Sequence, residues 1–509
     1  MNSQGRFSPS RTVFLRSLAA ATFLIALGAG AVAQPPIAES SNPGITITTK
    51  SPQARAYFVQ GLAECQTLHL RAGFQLWRKA AEADPNFALA HILLSNFSRD
   101  PAERVTERQK ALAARPYVSR EEQLIIDWLS DSSQGKWVPA IQAMNEALEK
   151  YGNHKIVVWL GGMWLDEQRQ WSRAIVLYKQ ALQLDPNFPD AWNSLAYCYA
   201  RTGDFDKASQ AMQRYADLLP GQPNPHDSYG EILMMAGRYQ QALAEYHTAL
   251  KLDPGFVESQ RGAADTLAVM GKEREARQEY AAAIARVNDK AEAERWSLLS
   301  AATWVRQDDL SAAASAFHAV AASAHQNGDA LVESEAWRSM ALFATSSSDA
   351  RHDLQRAEHA LRQKRRIPES LRRQELASIL RVRVERAVQD KRMTEAARTL
   401  KRLEKLSAGS SDGSVRLYYE AAAGAVAVAQ GRYPEALSDL DENDRDLFSL
   451  IHLEQAYEKT GSHEDADRIA EKLAYFNEPT IEQAVLSPQF RNIRGNGRVE
   501  GAKAVQAVK

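Results

Sequence analysis

The chain has 509 residues, of which 45% are hydrophobic and 25% charged, a composition that excludes the disordered and multi-span membrane classes. Its formal net charge is -1 and no long run carries a single sign, so no strong field favours nucleic acid. The whole chain contains only 26 Gly and 19 Pro, and good helix formers dominate from Pro52 onward, which predicts an all-helical protein.

The N-terminus has the pattern of an export signal. Three arginines precede an apolar stretch at 18–31, and Ala31-Val32-Ala33 has the small residues that a signal peptidase requires. We expect cleavage after Ala33, which predicts a signal peptide at 1–33 and a periplasmic or secreted protein. An uncleaved membrane anchor is the alternative, but an apolar run of about 16 residues is shorter than the roughly 20 that span a bilayer.

Residues 34–51 follow with three prolines and several serines, and we expect them to form a flexible lead-in. A helical array is then predicted over 52–290. Its early part is irregular, with an insertion-bearing helix pair at 91–116.

The sequence from 155 to 290 repeats with a period of 34 residues. Asp-Pro-Asn-Phe at Asp185 and Asp-Pro-Gly-Phe at Asp253 begin 68 residues apart, twice that period. Four units keep one frame without insertion, namely 155–188, 189–222, 223–256 and 257–290. Small residues recur at positions 8 and 20, where two helices cross closely. They are Gly162, Ala174, Ala196, Ala208, Gly230, Ala242, Ala264 and Ala276.

Two other positions of the unit carry structural information. Position 17 is aromatic in a run and is expected to open the second helix, as in Trp171, Phe205 and Tyr239. Proline at position 32, as in Pro186, is expected to end the preceding helix, and the adjacent acid or Asn to cap the next one.

Downstream of 290 the frame drifts. Residues 291–476 are expected to form degenerate helical repeats, with two long Arg-rich helices over 368–406, and 477–509 a C-terminal tail. The run of arginines at 362–386 is interpreted as a salt-bridged helix surface, the alternative being a nucleic-acid face.

This pattern resembles the tetratricopeptide repeat family, whose helix–turn–helix unit reads W-x2-L-G-x2-Y, then A-x3-F, then P. The resemblance is strongest over 155–290 and implies a right-handed superhelical solenoid of helix–turn–helix repeats. It also implies a scaffold in which the first helix of each unit lines a concave groove that binds a protein or peptide. The expectation is a binding protein and no enzyme.

Carried over to this sequence, the groove positions of the family predict a partner-binding surface. Its residues are Trp159, Met163, Asp166, Asp190, Asn193, Tyr197, Asp227, Glu231, Met234, Glu258, Arg261 and Asp265. Because acids and aromatics predominate, a basic or amphipathic peptide fits best. Family members that clamp a terminal carboxylate use lysines that are absent here. A merely solvated face is the alternative.

No catalytic or metal-binding pattern emerges from the sequence, and neither cofactor nor metal is expected. A G-x-S-x-G match at 409–413 lacks the preceding strand of a nucleophile elbow, so we interpret it as a loop. Cys65 and Cys198 lie about four repeats apart, too far for a disulfide. The alternative function is an enzyme or small-molecule binder with a pocket in the irregular C-terminal helical region.

Overall fold

A computed structural model of the chain describes residues 45–66, 70–98, 101–134, 136–168, 170–287, 289–362, 367, 369–408, 413–440, 446–474 and 476–486. The predicted signal peptide, residues 34–44 of the lead-in, residues 487–509 of the tail and most of the 409–413 loop lie outside them. Within those ranges the regular structure is helical and contains no strand. The chain is an all-α helical repeat solenoid.

The helices follow one another in antiparallel pairs. Their bounds are α1 Pro52–Gln66, α2 Leu70–Ala83, α3 Ala88–Phe97, α4 Pro101–Ala114, α5 Arg120–Ser133, α6 Trp137–Tyr151, α7 Lys155–Glu167, α8 Trp171–Leu184, α9 Pro189–Arg201, α10 Phe205–Leu218, α11 Pro223–Met235, α12 Tyr239–Leu252, α13 Val257–Val269, α14 Glu273–Arg286, α15 Lys290–Arg306, α16 Leu310–Asn327, α17 Ala330–Phe343, α18 Ser347–Arg362, α19 Glu369–Gln389, α20 Met393–Ala408, α21 Gly413–Ala429, α22 Tyr433–Leu440, α23 Leu447–Thr460 and α24 His463–Ala474.

The regular block has constant helix lengths. Its first helices, α7, α9, α11 and α13, each have 13 residues and begin at the first residue of the four predicted units. Its second helices, α8, α10, α12 and α14, each have 14 residues, and the first three begin at the aromatic residue of position 17. These constant lengths maintain the 34-residue period.

The turn between the two helices of a unit requires a left-handed residue. Gly203, Gly237 and Gly271, one period apart, have φ of 84°, 73° and 79°. Glycine adopts this conformation without the steric cost of a Cβ atom, so it stops the first helix and lets the second fold back.

The Asp-Pro-x-Phe sequence forms the turn between units. Helix α8 ends two residues before Pro186, and the Asp185 carboxylate accepts a hydrogen bond of 2.9 Å from the Asn187 amide. The expectation that the acid or Asn caps the next helix is wrong, because the N-cap of α9 is Phe188, which makes no side-chain cap. Phe188 is instead buried at 1% exposure, so the turn places an aromatic side chain in the core between two repeats.

The described residues pack into two compact units. The first contains residues up to 232 together with 248–256, and the second contains 233–247 together with residues from 257 onward. This division by packing differs from the position near 290 where the sequence loses its regularity. A large apolar core cluster of the first unit extends from Ile47 to Trp164, and one of the second extends from Leu298 to Leu486.

Residues 45–51 differ from the predicted flexible lead-in. The Thr46 amide donates to Glu121 Oε2 at 3.1 Å, and the Thr48 amide donates to Glu122 Oε1 at 2.8 Å. Ile47 between them is 6% exposed and belongs to the first unit's core. Glu122 also completes a capping box with Ser119. Buried carboxylates that need donors therefore anchor this segment on the start of α5.

The predicted C-terminal tail also begins with packed residues. Residues 476–480 have no regular secondary structure and 481–486 form a helical turn. Ala484 and Leu486 are 1% and 4% exposed within the core of the second unit. Apolar side chains in the segment explain why it packs.

Downstream of 290, helix length explains the drift of the frame. The helices α15 to α21 have between 14 and 21 residues, so successive pairs no longer have one common length. The longest, α19, has Leu380, Val382 and Val384 at 0% exposure on several of its sides. The arginine run therefore belongs largely to a central helix.

Candidate functional site

Two aromatic side chains of the predicted groove are fixed in the first unit. Trp159 on α7 is half-buried, and its Nε1 donates to Ser194 Oγ on α9 at 3.2 Å. Its ring lies edge-on to Phe188, with centroids 5.8 Å apart. These contacts hold Trp159 in one orientation while part of its ring remains exposed, as an anchor for a partner requires.

Tyr197 on α9 is held in the same manner by the next first helix, α11. Its hydroxyl donates to Glu231 Oε2 at 2.8 Å, and the Arg201 guanidinium lies 5.7 Å from its ring centroid. Burial and the Glu231 carboxylate raise the pKa of Tyr197 well above its usual range. Tyr197 is therefore a protonated donor at physiological pH.

Several groove carboxylates already have partners. Asp166 forms an ion pair with Arg201, and Asp265 pairs with Arg261 and accepts from the Tyr280 hydroxyl. Glu231 accepts from Tyr197, as described above. The sequence prediction of an acidic groove omitted Arg201, which lies one position beyond the family's groove positions. The 35-residue spacing from Asp166 to Arg201, one period plus one, was the available signal.

Asp190 differs from these paired acids. It lies half-buried in the first turn of α9. Burial raises the pKa of Asp190 from 3.8 to about 7, and the charge of Lys155 only partly opposes this. Lys155 is bonded to Asp185 at 2.5 Å and lies 5.1 Å from the Phe188 ring centroid. The groove of the first unit therefore has a carboxyl group that changes charge near neutral pH.

This carboxyl group makes the stability of the first unit dependent on pH. A folded pKa above the unfolded value contributes stability that is fully present below about pH 4 and is lost as the pH rises through about 7. Between pH 4 and 8 the wild-type free energy of unfolding should thus fall relative to that of Asp190→Asn, as measured by urea denaturation.

Asp185→Asn is the matched control. Burial raises the pKa of Asp185, but its bonds to Lys155 and to the Asn187 amide outweigh that effect and lower the pKa. The contribution of Asp185 to the free energy of unfolding should therefore be lost in acid instead. Parallel pH profiles for wild type and Asp190→Asn would contradict the prediction.

The other predicted groove residues occupy varied environments. In the first unit, Met163 and Asn193 are half-buried and Asp227 is buried. In the second unit, Met234 and Glu258 are buried at 5% and 6% exposure, and Arg261 is half-buried. The predicted surface is therefore divided between the two compact units, and its two aromatic side chains, Trp159 and Tyr197, are half-buried.

The small residues predicted at helix crossings are buried. Gly162 and Gly230 are buried, and the six alanines are 0% exposed, namely Ala174, Ala196, Ala208, Ala242, Ala264 and Ala276. At Gly162 a Cβ atom would come within 2.6 Å of the Tyr178 ring. Such proximity shows why the crossing requires a residue without a side chain.

A buried ionic cluster in the second unit was missed by sequence reasoning. Arg338 on α17 is 3.1 Å from Glu375, and Arg381 is 2.8 Å from Asp446. Arg338 and Arg381 are 7% and 2% exposed. The interpretation of the arginine run as helix surface applies to Arg373, which bridges to Glu369 at 3.0 Å with its own side chain 42% exposed, but is wrong for Arg381.

The described residues contain no candidate metal site. No group of His, Cys, Asp and Glu among them is arranged to hold a metal ion. Cys65 is half-buried and Cys198 buried, and neither forms a disulfide. None of the helices described is long and apolar enough to cross a membrane.

The alternative function would require a pocket in the C-terminal helices. A cavity of about 580 Å³ at the start of α20 is lined by basic residues including Arg383, Arg392 and Arg398. Arg383 is paired with Glu358 at 2.8 Å and Arg392 with Asp390 at 2.9 Å. The charges of Arg383 and Arg392 are therefore already paired within the protein.

Comparison with known proteins agrees with this architecture. The family pattern described as "Tetratricopeptide repeat" matches residues 167–230 and 233–302. "Superkiller complex protein 3" of Mus musculus is 26% identical over 115 residues, which are 22% of this chain and 7% of that protein. "Tetratricopeptide repeat-containing protein trd-1" of Caenorhabditis elegans is 22% identical over 221 residues, 43% of this chain and 27% of that protein. These matches support the tetratricopeptide repeat assignment over the regular block.

Among solved structures, yeast Tom70 is similar with a TM-score of 0.40 and 18% identity, over 61% of this chain and 65% of that chain. The chain therefore spans about a quarter or less of the two relatives and about two thirds of the yeast structure.

Proposed function

We propose that the protein is an exported scaffold of tetratricopeptide repeats that binds a protein or peptide partner on the inner helices α7, α9 and α11. The observation that carries the proposal is the pair Trp159 and Tyr197. Each is partly exposed and each is fixed by a hydrogen bond to the next first helix, from Trp159 to Ser194 and from Tyr197 to Glu231. A rigid aromatic side chain loses little entropy on binding, so it contributes strongly to affinity.

The chemistry of the partner follows from the charges beside these rings. Asp190 gains negative charge as the pH rises through about 7, whereas Asp166 is neutralised by Arg201. A segment with one or two apolar anchors beside a Lys or Arg fits this arrangement, since the aromatics supply affinity and Asp190 supplies a local charge. The proposed partner is thus a basic or amphipathic peptide.

Binding alone, without catalysis, completes the proposal. Repeat solenoids of this family act as interaction scaffolds through extended surfaces. The proposed periplasmic or secreted location rests on the sequence of residues 1–33. A mature protein that begins at Gln34 in intact-mass spectrometry supports export, and one that retains residues 1–33 contradicts it.

Trp159→Ala is expected to weaken partner binding by about 1–3 kcal/mol while the helical content stays unchanged. The partner is first captured from an envelope extract with the wild-type protein and identified by mass spectrometry. Its dissociation constant is then measured for both proteins by calorimetry.

Trp192→Ala is the matched control, because Trp192 is also half-buried on a first helix but lies outside the predicted groove positions. Its indole donates to Pro186 O at 2.9 Å. Equal loss of affinity in both variants would place the interface elsewhere.

A further inference from the structure

Residues 476–486, with the sequence FNEPTIEQAVL, follow the last helix and return to helices far earlier in the chain. Asn477 is 5% exposed, and its side chain accepts from the Tyr239 hydroxyl at 2.5 Å and donates to Met235 O at 3.1 Å. Both partners belong to the second unit. The segment is thus bound at one end through an amide whose donor and acceptor are both satisfied.

The middle of the segment meets basic side chains. Arg306 at the end of α15 donates to Thr480 O at 3.3 Å, and the Arg338 guanidinium on α17 lies 3.9 Å from the Glu482 carboxylate. Successive first helices therefore face one short peptide segment.

The end of the segment is apolar and helical. Thr480 Oγ1 accepts from the Gln483 amide at 3.1 Å, which caps the turn at 481–486. Ala484 and Leu486 enter the core at 1% and 4% exposure, whereas Ile481 and Val485 are only half-buried. The contact therefore combines an amide, a carboxylate and two apolar anchors on a single turn.

We propose that the surface formed by Tyr239, Arg306, Arg338 and the adjoining apolar core is a second peptide-binding site, occupied in this structure by the chain's own residues 476–486. Its external partner is an acidic segment with the same order of groups: an amide, then a carboxylate, then two apolar residues on a helical turn. The inference shares with the proposed function the premise that first helices accept peptides. It goes further by assigning a separate site of opposite charge preference.

The contacts of residues 476–486 are those of a bound peptide. The segment forms one helical turn and no helix pair, and the turn is too short to be stable alone. Its polar contacts include those with the side chains of Tyr239 and Arg306. The Gln483 side-chain oxygen is buried without a hydrogen-bond partner among the described residues. A ligand of the same chemistry could make the same contacts and displace it.

The test uses the full chain and a fluorescent synthetic peptide with the sequence FNEPTIEQAVL. In the wild type the tethered copy competes at an effective concentration of about millimolar, so the free peptide should bind weakly. In the double variant Asn477→Ala/Leu486→Ala the tethered copy is weakened, and fluorescence anisotropy should show at least a tenfold lower dissociation constant. Equal binding to wild type and to a folded double variant overturns the proposal.

The peptide itself provides the matched control. Replacement of its second glutamate by lysine, equivalent to Glu482→Lys, should weaken binding at least tenfold because Arg338 faces that carboxylate. Replacement of its first glutamate, equivalent to Glu478→Lys, should change binding less than threefold, since Glu478 forms no ion pair among the described residues. Equal losses from both changes contradict the assigned site.

Hydrogen exchange of the wild type tests the proposal if the double variant does not fold. The amides of 481–486 should exchange faster than those of α17, and saturating peptide should accelerate them further. Exchange at the same rate as α17, unaffected by peptide, would make the segment a permanent part of the core. Trp159→Ala should leave peptide binding unchanged, so failure here and failure of the proposed function are distinguishable.

Discussion

Arg338→Met is expected to destabilise the second unit by about 3–5 kcal/mol at neutral pH. Arg338 is 7% exposed and lies among the carboxylates of Glu375, Glu335 and Glu482, at 3.1, 3.7 and 3.9 Å. Burial opposes its charge, yet these three carboxylates together raise the pKa of Arg338 above its usual value. Loss of the guanidinium leaves the half-buried Glu375 without this cation. Chemical denaturation followed by circular dichroism will detect the loss of stability.

The pH dependence identifies the cause of that loss. Burial already raises the pKa of Glu375, and Arg338 partly opposes the rise, so removal of Arg338 raises it further. A raised carboxyl pKa gives stability that is present in acid and lost as the pH rises. The deficit of Arg338→Met should therefore shrink in acid, and the double variant Arg338→Met/Glu375→Leu should recover most of it at neutral pH. A deficit that is constant with pH would exclude the buried carboxylate as its cause.

Gly162→Leu is expected to destabilise the first unit by about 3 kcal/mol or more. A Cβ atom at this position would lie 2.6 Å from Tyr178 Cε1 and 2.8 Å from Cδ1. The Tyr178 ring is 0% exposed and cannot move into solvent, so helices α7 and α8 must separate. Urea denaturation measures the loss.

A double-mutant cycle assigns this loss to the one crossing. Tyr178→Ala alone removes core packing, but in the Gly162→Leu background it also provides room for the leucine. The double variant should therefore be less destabilised than the sum of the two single variants, by more than about 0.5 kcal/mol. Strict additivity would show that another contact limits the crossing.

Local rules determine the regular block, and the sequence predicted it well for that reason. Its period depends on residues close in the chain. The left-handed glycine recurs every 34 residues at Gly203, Gly237 and Gly271, and the buried aromatic residue of the turn recurs 68 residues apart at Phe188 and Phe256. The 34-residue frame predicted the first residues of α7, α9, α11 and α13. Where helix length varies, as in the 21-residue α19, no constant frame exists and the sequence offered only helical character.

The candidate site was predicted less completely, because its electrostatics depend on pairs between repeats. Arg201 lies on the following first helix and neutralises Asp166. It does not occupy any of the repeat positions from which the groove residues were predicted. Arg381 pairs with Asp446, 65 residues later, and no local pattern identifies that partner. The return of Asn477 to Tyr239, 238 residues earlier, is equally beyond periodicity.

The anchoring of residues 45–51 has a consequence for unfolding from the N-terminal end. An array held together by nearest neighbours frays one helix pair at a time from its termini. Here Thr46 and Thr48 bond to carboxylates 75 and 74 residues further along, past two complete helix pairs. These bonds close a long loop that forms only after α5 is in place. Helices α1 to α4 are thereby joined to α5 in one cooperative block, whose opening exposes four helices at once.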